Sequence, residues 1–326
     1  ILIPDYPAAE GRTGYAVGLD VPSSVLAMLH DLRDAGYSVD SIPESPRELL
    51  DLLDRDSHGM NAGEYVEALN ALPDAARDKL MATWGAPPEN RIQFRAATFG
   101  NVTVALAPDR GRSADRRADY HDPALAPQHD LVAFGFWLQN ALGVHAIIHV
   151  GAHGTLEWLP GKTVALSCDC FPEIVTGGLP VIYPFIVSNP GEAAQAKRRV
   201  SAVTLGHLPP PLASAELDEK QQTLQRLVDE YAQADGLDRR RRDRLARLIV
   251  ATATETGLAN DAGVARTDAP DEALRRIDAW LCDLKDFAIK DGLHIYGRAE
   301  GDDPLRGVSA ENERRSLLDA LDGRHI

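Results

Sequence analysis

The sequence predicts an α/β fold in which parallel-type βαβ units are followed by a helical segment. Three observations predict it. Short apolar runs alternate with segments of helical spacing over the first two thirds of the chain. The order strand, helix, strand recurs at Val102–Leu106, Asp130–Leu142 and His145–Val150, which suits a right-handed parallel unit. After the breaker Pro209-Pro210-Pro211 only helix-like periodicity remains.

Residues Ile1 to Pro4 read as the end of a strand, followed by a glycine-containing loop to Asp20. A helix starts near Pro22, a residue suited to a first helical position. Val25, Leu26, Leu29 and Leu32 form its apolar stripe, and Gly36 marks its stop. Acidic helical segments are expected at Arg47–Asp54, Ala62–Leu72 and Ala75–Trp84, and an Arg- and Asp-rich loop at Asp109–Tyr120. Pro180–Val187 reads as another strand. Asn189-Pro190-Gly191-Glu192 then opens a helix, with Asn as N-cap and Pro at the first position. Val200–Leu205 is the next strand. Three helices follow, marked by Leu217 to Tyr231, Leu245 to Ile249 and Leu274 to Leu284. The expected organisation is an α/β region over 1–212, a helical region over 213–298, and a polar tail over 299–326 for which poor order is expected.

Bulk properties exclude several function classes. The formal charge of −15 argues against sequence-independent nucleic-acid binding, which depends on neutralising phosphates with excess Lys and Arg. No apolar run approaches the ~20 residues that a membrane helix needs. Three cysteines (Cys168, Cys170, Cys282) are too few and too irregularly placed for a disulfide framework, so a reducing, cytoplasmic setting is expected. The chain opens on Ile1 inside a strand-like run and reads as a piece of something longer.

The chemistry concentrates in His145–Lys162, HAIIHVGAHGTLEWLPGK. Strand periodicity puts His145, Ile147 and His149 on one face. Ligands in parallel-sheet proteins sit just beyond the carboxyl ends of strands, where His149 and His153 fall. Glu157 is four residues after His153, a spacing that shares a side if a helical turn begins between them. Two imidazoles and a carboxylate with open positions suit a borderline divalent ion such as cobalt or zinc. The same groups suit removal of a proton from a ring nitrogen. Ordinary histidines satisfied at a strand end are the plain alternative. Gly161-Lys162-Thr163 imitates the end of a phosphate-binding loop, but Leu156 stands where the first glycine is required, so ATP binding by this chain is not expected. Cys168 and Cys170 do not by themselves complete a tetrahedral metal site. The amides that open the helix after Asn189 could hold a carboxylate. Lys197, Arg198 and Arg199 follow a turn or two later.

HVGAHGTLEWLPGK and PVIYPFIVSNPGEAAQAKRR resemble the large-subunit family of cobaltochelatase and magnesium chelatase. The wording Glu157-Trp158-Leu159-Pro160-Gly161-Lys162 is similar to the cobalt, CobN-type branch. The likeness extends to Tyr120-His121-Asp122-Pro123 and to DEALRRIDAWLCDLKDFAIKDGLHIYGR, and so to about Arg298. It implies an ATP-dependent chelatase subunit of cobalamin biosynthesis that holds a metal-free tetrapyrrole, hydrogenobyrinic acid a,c-diamide, and inserts cobalt(II). AAA+ partner subunits would use the ATP. On that resemblance His149, His153 and Glu157 would deliver the metal and take the ring proton. Trp158 or Tyr183 would stack on the ring. Lys162, Lys197 and Arg198 would grip its carboxylates, with Asn189 and Glu192 at the adjoining turn. Magnesium insertion into protoporphyrin IX, a non-catalytic tetrapyrrole- or partner-binding module, and a metallohydrolase are the other readings. Magnesium prefers oxygen ligands, which leans against the first of these.

Overall fold

The computed structural model describes residues 1–4, 18–55, 57–111, 122, 124–151, 156–184, 190–208, 219–234, 239–264, 273–274, 276–277, 280–281, 293–299 and 304–323. Among the described residues, seven strands form the frame: β1 (Leu2–Pro4), β2 (Ser57–Met60), β3 (Ile92–Phe99), β4 (Val102–Ala107), β5 (Ile147–Ile148), β6 (Val181–Tyr183) and β7 (Val203–Thr204). They form a sheet of order β1-β4-β3-β2 and a parallel sheet of order β5-β6-β7. A parallel bridge between Leu2 and His149, with the Val150 amide donating to the Leu2 carbonyl at 2.8 Å, joins the two. The continuous order is therefore β7-β6-β5-β1-β4-β3-β2. β1 is parallel to β4, and β3 is antiparallel to both β4 and β2.

Helix α1 (Val21–Asp34) behaves as its sequence dictates. The Asp20 carboxylate accepts from the Ser23 amide at 3.0 Å, and the Tyr37 amide reaches back to the Leu32 carbonyl at 3.0 Å. Its apolar stripe is buried against β1, β3 and β4 in a core with Ile3, Val104 and Leu106. α2 (Pro46–Arg55), α3 (Ala62–Asn70) and α4 (Asp74–Trp84) occupy the expected acidic segments. β2 and β3 were not foreseen. β3 alternates buried and exposed positions along Ile92–Ala96 and pairs β4 as a hairpin through Gly100 and Asn101. α5 (His129–Phe136) is buried on nearly all sides and runs on as a π-helical turn, Trp137–Ala141. A second core gathers Phe94, Phe134, Trp137, Phe171 and Tyr183 on the other face of the sheet. The aromatics before the histidine strand are thus core. α6 (Phe171–Thr176) and α7 (Pro190–Arg199) flank β6.

α8 (Glu219–Ala234), α9 (Arg239–Thr256) and the short α10 (Leu258–Asp261) form a helical cluster closed by Leu224, Ile249 and Leu258. The segment expected as a polar tail carries helix α11 (Pro304–Leu321). Leu317 is fully buried with Val25 and Leu29 of α1 in the same core, and Arg314 forms an ion pair with the buried Asp31. Composition hides this docking because only a narrow face of α11 is buried, Ala310, Glu313, Leu317 and Ala320 at three- and four-residue spacing. No described helix is long and apolar enough to cross a membrane.

Candidate functional site

β5 spans only two residues because its neighbours dictate where it can pair. The Ile147 amide bonds to Pro180 O, the His149 amide to Ile182 O and the Val150 amide to Leu2 O, each at 2.8 Å. His149 therefore stands at the carboxyl end of β5, between β6 and β1. Gly151 follows because the chain passes against Pro4: a Cβ there would lie 2.5 Å from Pro4 Cγ. Tyr183 closes β6, one strand over. Its ring stacks on the His149 imidazole with centroids 4.4 Å apart and planes inclined by 30°. Its hydroxyl donates to Glu157 Oε2 at 2.5 Å, a length typical of a hydroxyl bonded to an ionised carboxylate. His149, Tyr183 and Glu157 are all fully buried.

Two predicted groups, His149 and Glu157, thus converge, and Tyr183 links them. His153 and Asn189 lie outside the described residues, as does the side chain of Glu192. The remaining predicted residues do not join this cluster through the contacts seen. Trp158 is half-buried. The Lys162 side chain is exposed, and its amide donates to Cys170 Sγ at 3.3 Å. Lys197 is exposed and Arg198 half-buried.

The segment Leu156–Lys162 lacks regular secondary structure, so its buried carbonyls need donors from elsewhere. Two buried arginines supply them. Arg199, at the end of α7, donates from Nη1 to Glu157 O at 2.5 Å, from Nη2 to Leu159 O at 2.7 Å and from Nε to Lys162 O at 3.1 Å. Arg110, just past β4 and fully buried, donates to Trp158 O at 2.9 Å, to Asp122 O at 2.8 Å and to Leu125 O at 3.2 Å. A guanidinium fork can hold several acceptors in fixed geometry, which an ammonium cannot. Sequence reasoning missed both roles, although helical spacing could have found Arg199. Gly191, Gln195 and Arg199 recur every four residues on the buried face of α7, while Lys197 points to water.

Chemically, the cluster offers a water-excluded carboxylate with one oxygen held by a phenol, and an imidazole on the far face of that phenol. Such a carboxylate–phenol pair can take or give a proton, and it lies inside the protein at the carboxyl ends of β5 and β6. The comparisons with known proteins agree on the family of the chain. The family described as CobN/Magnesium Chelatase matches residues 1–324. The chain belongs to the CobN/magnesium chelatase family. It is 41% identical over 318 residues to the aerobic cobaltochelatase subunit CobN of Pseudomonas aeruginosa, covering 92% of this chain and 26% of the relative. It is 42% identical over 316 residues to the same-named subunit of a Sinorhizobium species, covering 92% and 25%. A magnesium-chelatase subunit of Chlorobaculum parvum is 29% identical, over 92% of this chain and 25% of that one. Among solved structures, the catalytic subunit of cobaltochelatase from Mycobacterium tuberculosis matches with a TM-score of 0.62 and 32% identity, over 99% of this chain and 33% of that one. The chain therefore spans about a quarter of the length of its curated CobN relatives.

Proposed function

We propose that this chain is the part of a cobaltochelatase large subunit that handles the inner proton of a metal-free corrin as cobalt enters. The observation that carries the reading is the buried Glu157–Tyr183–His149 constellation at the carboxyl ends of β5 and β6, in a chain 41–42% identical to two CobN subunits. Metal insertion into a corrin requires its inner N–H proton to leave as the cation arrives. Glu157 accepts such a proton at its carboxylate. The Tyr183 hydroxyl holds Oε2 and so orients the carboxylate. Arg199 and Arg110 fix the Glu157 backbone and so its reach. His149, stacked on the Tyr183 ring, is the second candidate base beside it. His153 completes the pair of imidazoles that strips and passes cobalt, the substrate metal. The corrin is hydrogenobyrinic acid a,c-diamide, whose carboxylate arms face Lys162, Lys197 and Arg198, with Asn189 and Glu192 at the adjacent turn and Trp158 against the ring. ATP is hydrolysed by AAA+ partner subunits, as the family resemblance implies, and the broken phosphate-loop pattern at Leu156 is consistent with that division.

The test uses the full-length subunit with its ATPase partners. Glu157→Gln should lower the cobalt insertion rate by about 100-fold or more, 100-fold being the lower end of the range for losing a general base. Corrin binding should be retained. Insertion within a factor of two of the parent in both Glu157→Gln and His153→Ala would overturn the reading. Magnesium with protoporphyrin IX is the comparison arm, and turnover there but not with cobalt and corrin would reassign the substrate.

A further inference from the structure

A second cluster of chemistry-bearing groups lies outside that site. We propose that His207, His294 and Glu313 form a binding site for a borderline divalent cation of the Zn²⁺ or Co²⁺ kind, with a coordination position left open. One ligand atom from each of the three residues lies within 4.8 Å of the other two. Ligands of a tetrahedral site with bonds of ~2.1 Å stand roughly 3.4 Å apart, so small side-chain rotations close the set. The imidazoles of His207 and His294 are stacked, with centroids 4.3 Å apart and planes inclined by 21°. Two imidazolium ions would repel at that separation, whereas two neutral rings can share one cation. His294 Nε2 lies 3.2 Å from both oxygens of Glu313, longer than the 2.7–2.9 Å usual for a charge-assisted N–H···O bond. The carboxylate spreads over the ring nitrogen in the bidentate manner it would present to a cation. Two imidazoles and one carboxylate form the donor set that selects borderline metals over magnesium or calcium.

The surroundings hold these groups in place. The Gly297 amide donates to Glu313 Oε2 at 2.9 Å, the kind of outer bond that orients a ligating carboxylate. The Leu208 amide donates to Ser309 Oγ at 2.8 Å, tying the His207 segment to α11 one turn before Glu313. His294 is pinned by its own backbone, with its amide donating to Gly18 O at 2.8 Å and the Asp20 amide donating to its carbonyl at 2.9 Å. His294 and Glu313 are 7% and 1% exposed, and His207 is half-buried, so one side of the set opens outward.

The position has meaning in the fold. The Leu205 amide bonds to Tyr183 O, so His207 lies just beyond the carboxyl end of β7, as Tyr183 closes β6 and His149 closes β5. The cation site occupies the same rim of the parallel strands as Glu157, where ligands of such sheets gather. It shares no residue with the proton-handling cluster. It goes beyond the reading given above and stands or falls separately.

The experiment is a Co²⁺ titration of the full-length subunit after dialysis against a chelator, without corrin or ATPase partners. The readouts are visible d–d absorption and the metal-dependent rise in melting temperature, with Zn²⁺ as competitor. The parent should show a saturable Co²⁺ band that Zn²⁺ displaces. His207→Asn and Glu313→Gln should each lose one equivalent of it, or bind it about 100-fold more weakly. Glu157→Gln should keep it. A parent with no saturable band overturns the proposal, as does an unchanged stoichiometry in His207→Asn. Loss of the band in Glu157→Gln with retention in His207→Asn would assign the metal to the other cluster. Should His207→Asn fail to fold, His294→Asn is read in its place against the same outcomes.

Discussion

Arg199 shows how a single residue can carry the geometry of a site. Three carbonyls of the Glu157 loop converge on it, and each buried acceptor left without a donor costs about 1–3 kcal/mol. Arg199→Met should therefore loosen Leu156–Lys162 by about 3 kcal/mol or more, since three acceptors lose their donor together. Arg199→Lys should recover only part of this, because an ammonium cannot present the planar fork. Hydrogen exchange checks it: the Lys162 and Phe171 amides, bonded to Cys170 Sγ and Pro160 O, should lose protection, while those of β3 and β4 keep theirs. His129 gives a residue-scale prediction for pH. Its Nε2–H donates to the Gly85 carbonyl at 3.1 Å and its Nδ1 accepts from the Tyr65 hydroxyl at 2.6 Å. Burial, outweighing the Gly85 bond and Asp130, lowers its pKa below the ordinary value of 6.5. The folded state thus resists a proton that the unfolded chain accepts. This contribution to stability is complete above about pH 6.5 and declines as the pH falls through that value, levelling off below the folded pKa. Tyr65→Phe removes the donor to Nδ1 and should cost about 1–2 kcal/mol near neutral pH, measured as a shift of the melting midpoint.

At the scale of elements, close approach is written into one glycine. A Cβ at Gly135 of α5 would lie 2.6 Å from Val175 O and 2.8 Å from Val175 Cα in α6. Gly135→Ala must push the two helices apart, and overpacking of this kind costs about 1–3 kcal/mol. The loss should also weaken the two 3.0 Å bonds from Gln139 Nε2 to Ile174 O and Val175 O, because Gln139 sits on the π turn that continues α5. A lowered melting temperature with unchanged metal binding is the expected signature. The helices were legible where periodicity was strong: α1, with its Val25-Leu26-Leu29-Leu32 stripe, and α2 to α4. The π turn at Trp137–Ala141 was not, since Asp130–Leu142 reads as one uninterrupted helical pattern and the extra residue per turn leaves no composition signal. β3 was missed because His58–Met60 and Ile92–Phe99 gain strand character only by pairing with each other and with β4, contacts that no local window contains. Strand-end position singled out His149, and spacing tied Glu157 to His153; the contacts of His149 and Glu157 with Tyr183 arise between strands and leave no local sequence signal. Arg110 was hidden in a charged loop, where a buried guanidinium looks like a solvated one.

At the scale of the molecule, distant segments complete the rim of the sheet. The segment around His294 adds a bridge to Leu19, its Tyr296 amide donates to Ser24 Oγ at 3.0 Å, and α11 closes over both. Composition suggested a poorly ordered polar tail over 299–326, whereas Pro304–Leu321 folds as a cover for α1. Leu317 is the means of that cover, fully buried in the core of α1, β3 and β4. Leu317→Ala should cost about 2–5 kcal/mol, the range for emptying a leucine site in a packed core. A leucine in a solvated tail would cost almost nothing to remove. The loss should be read locally, because a long multidomain subunit need not unfold in one step. Limited proteolysis should cut within Pro304–Leu321 faster in Leu317→Ala, and hydrogen exchange should rise at the amides of His294 and Tyr296, which α11 shields. Glu313 and Ser309 ride on the same helix, so Co²⁺ affinity at the His207 site should fall together with protection of α11. Unchanged protection and proteolysis in Leu317→Ala would mean that the cover is held by the Arg314–Asp31 pair instead, and Asp31→Asn would then be the variant that frees the helix.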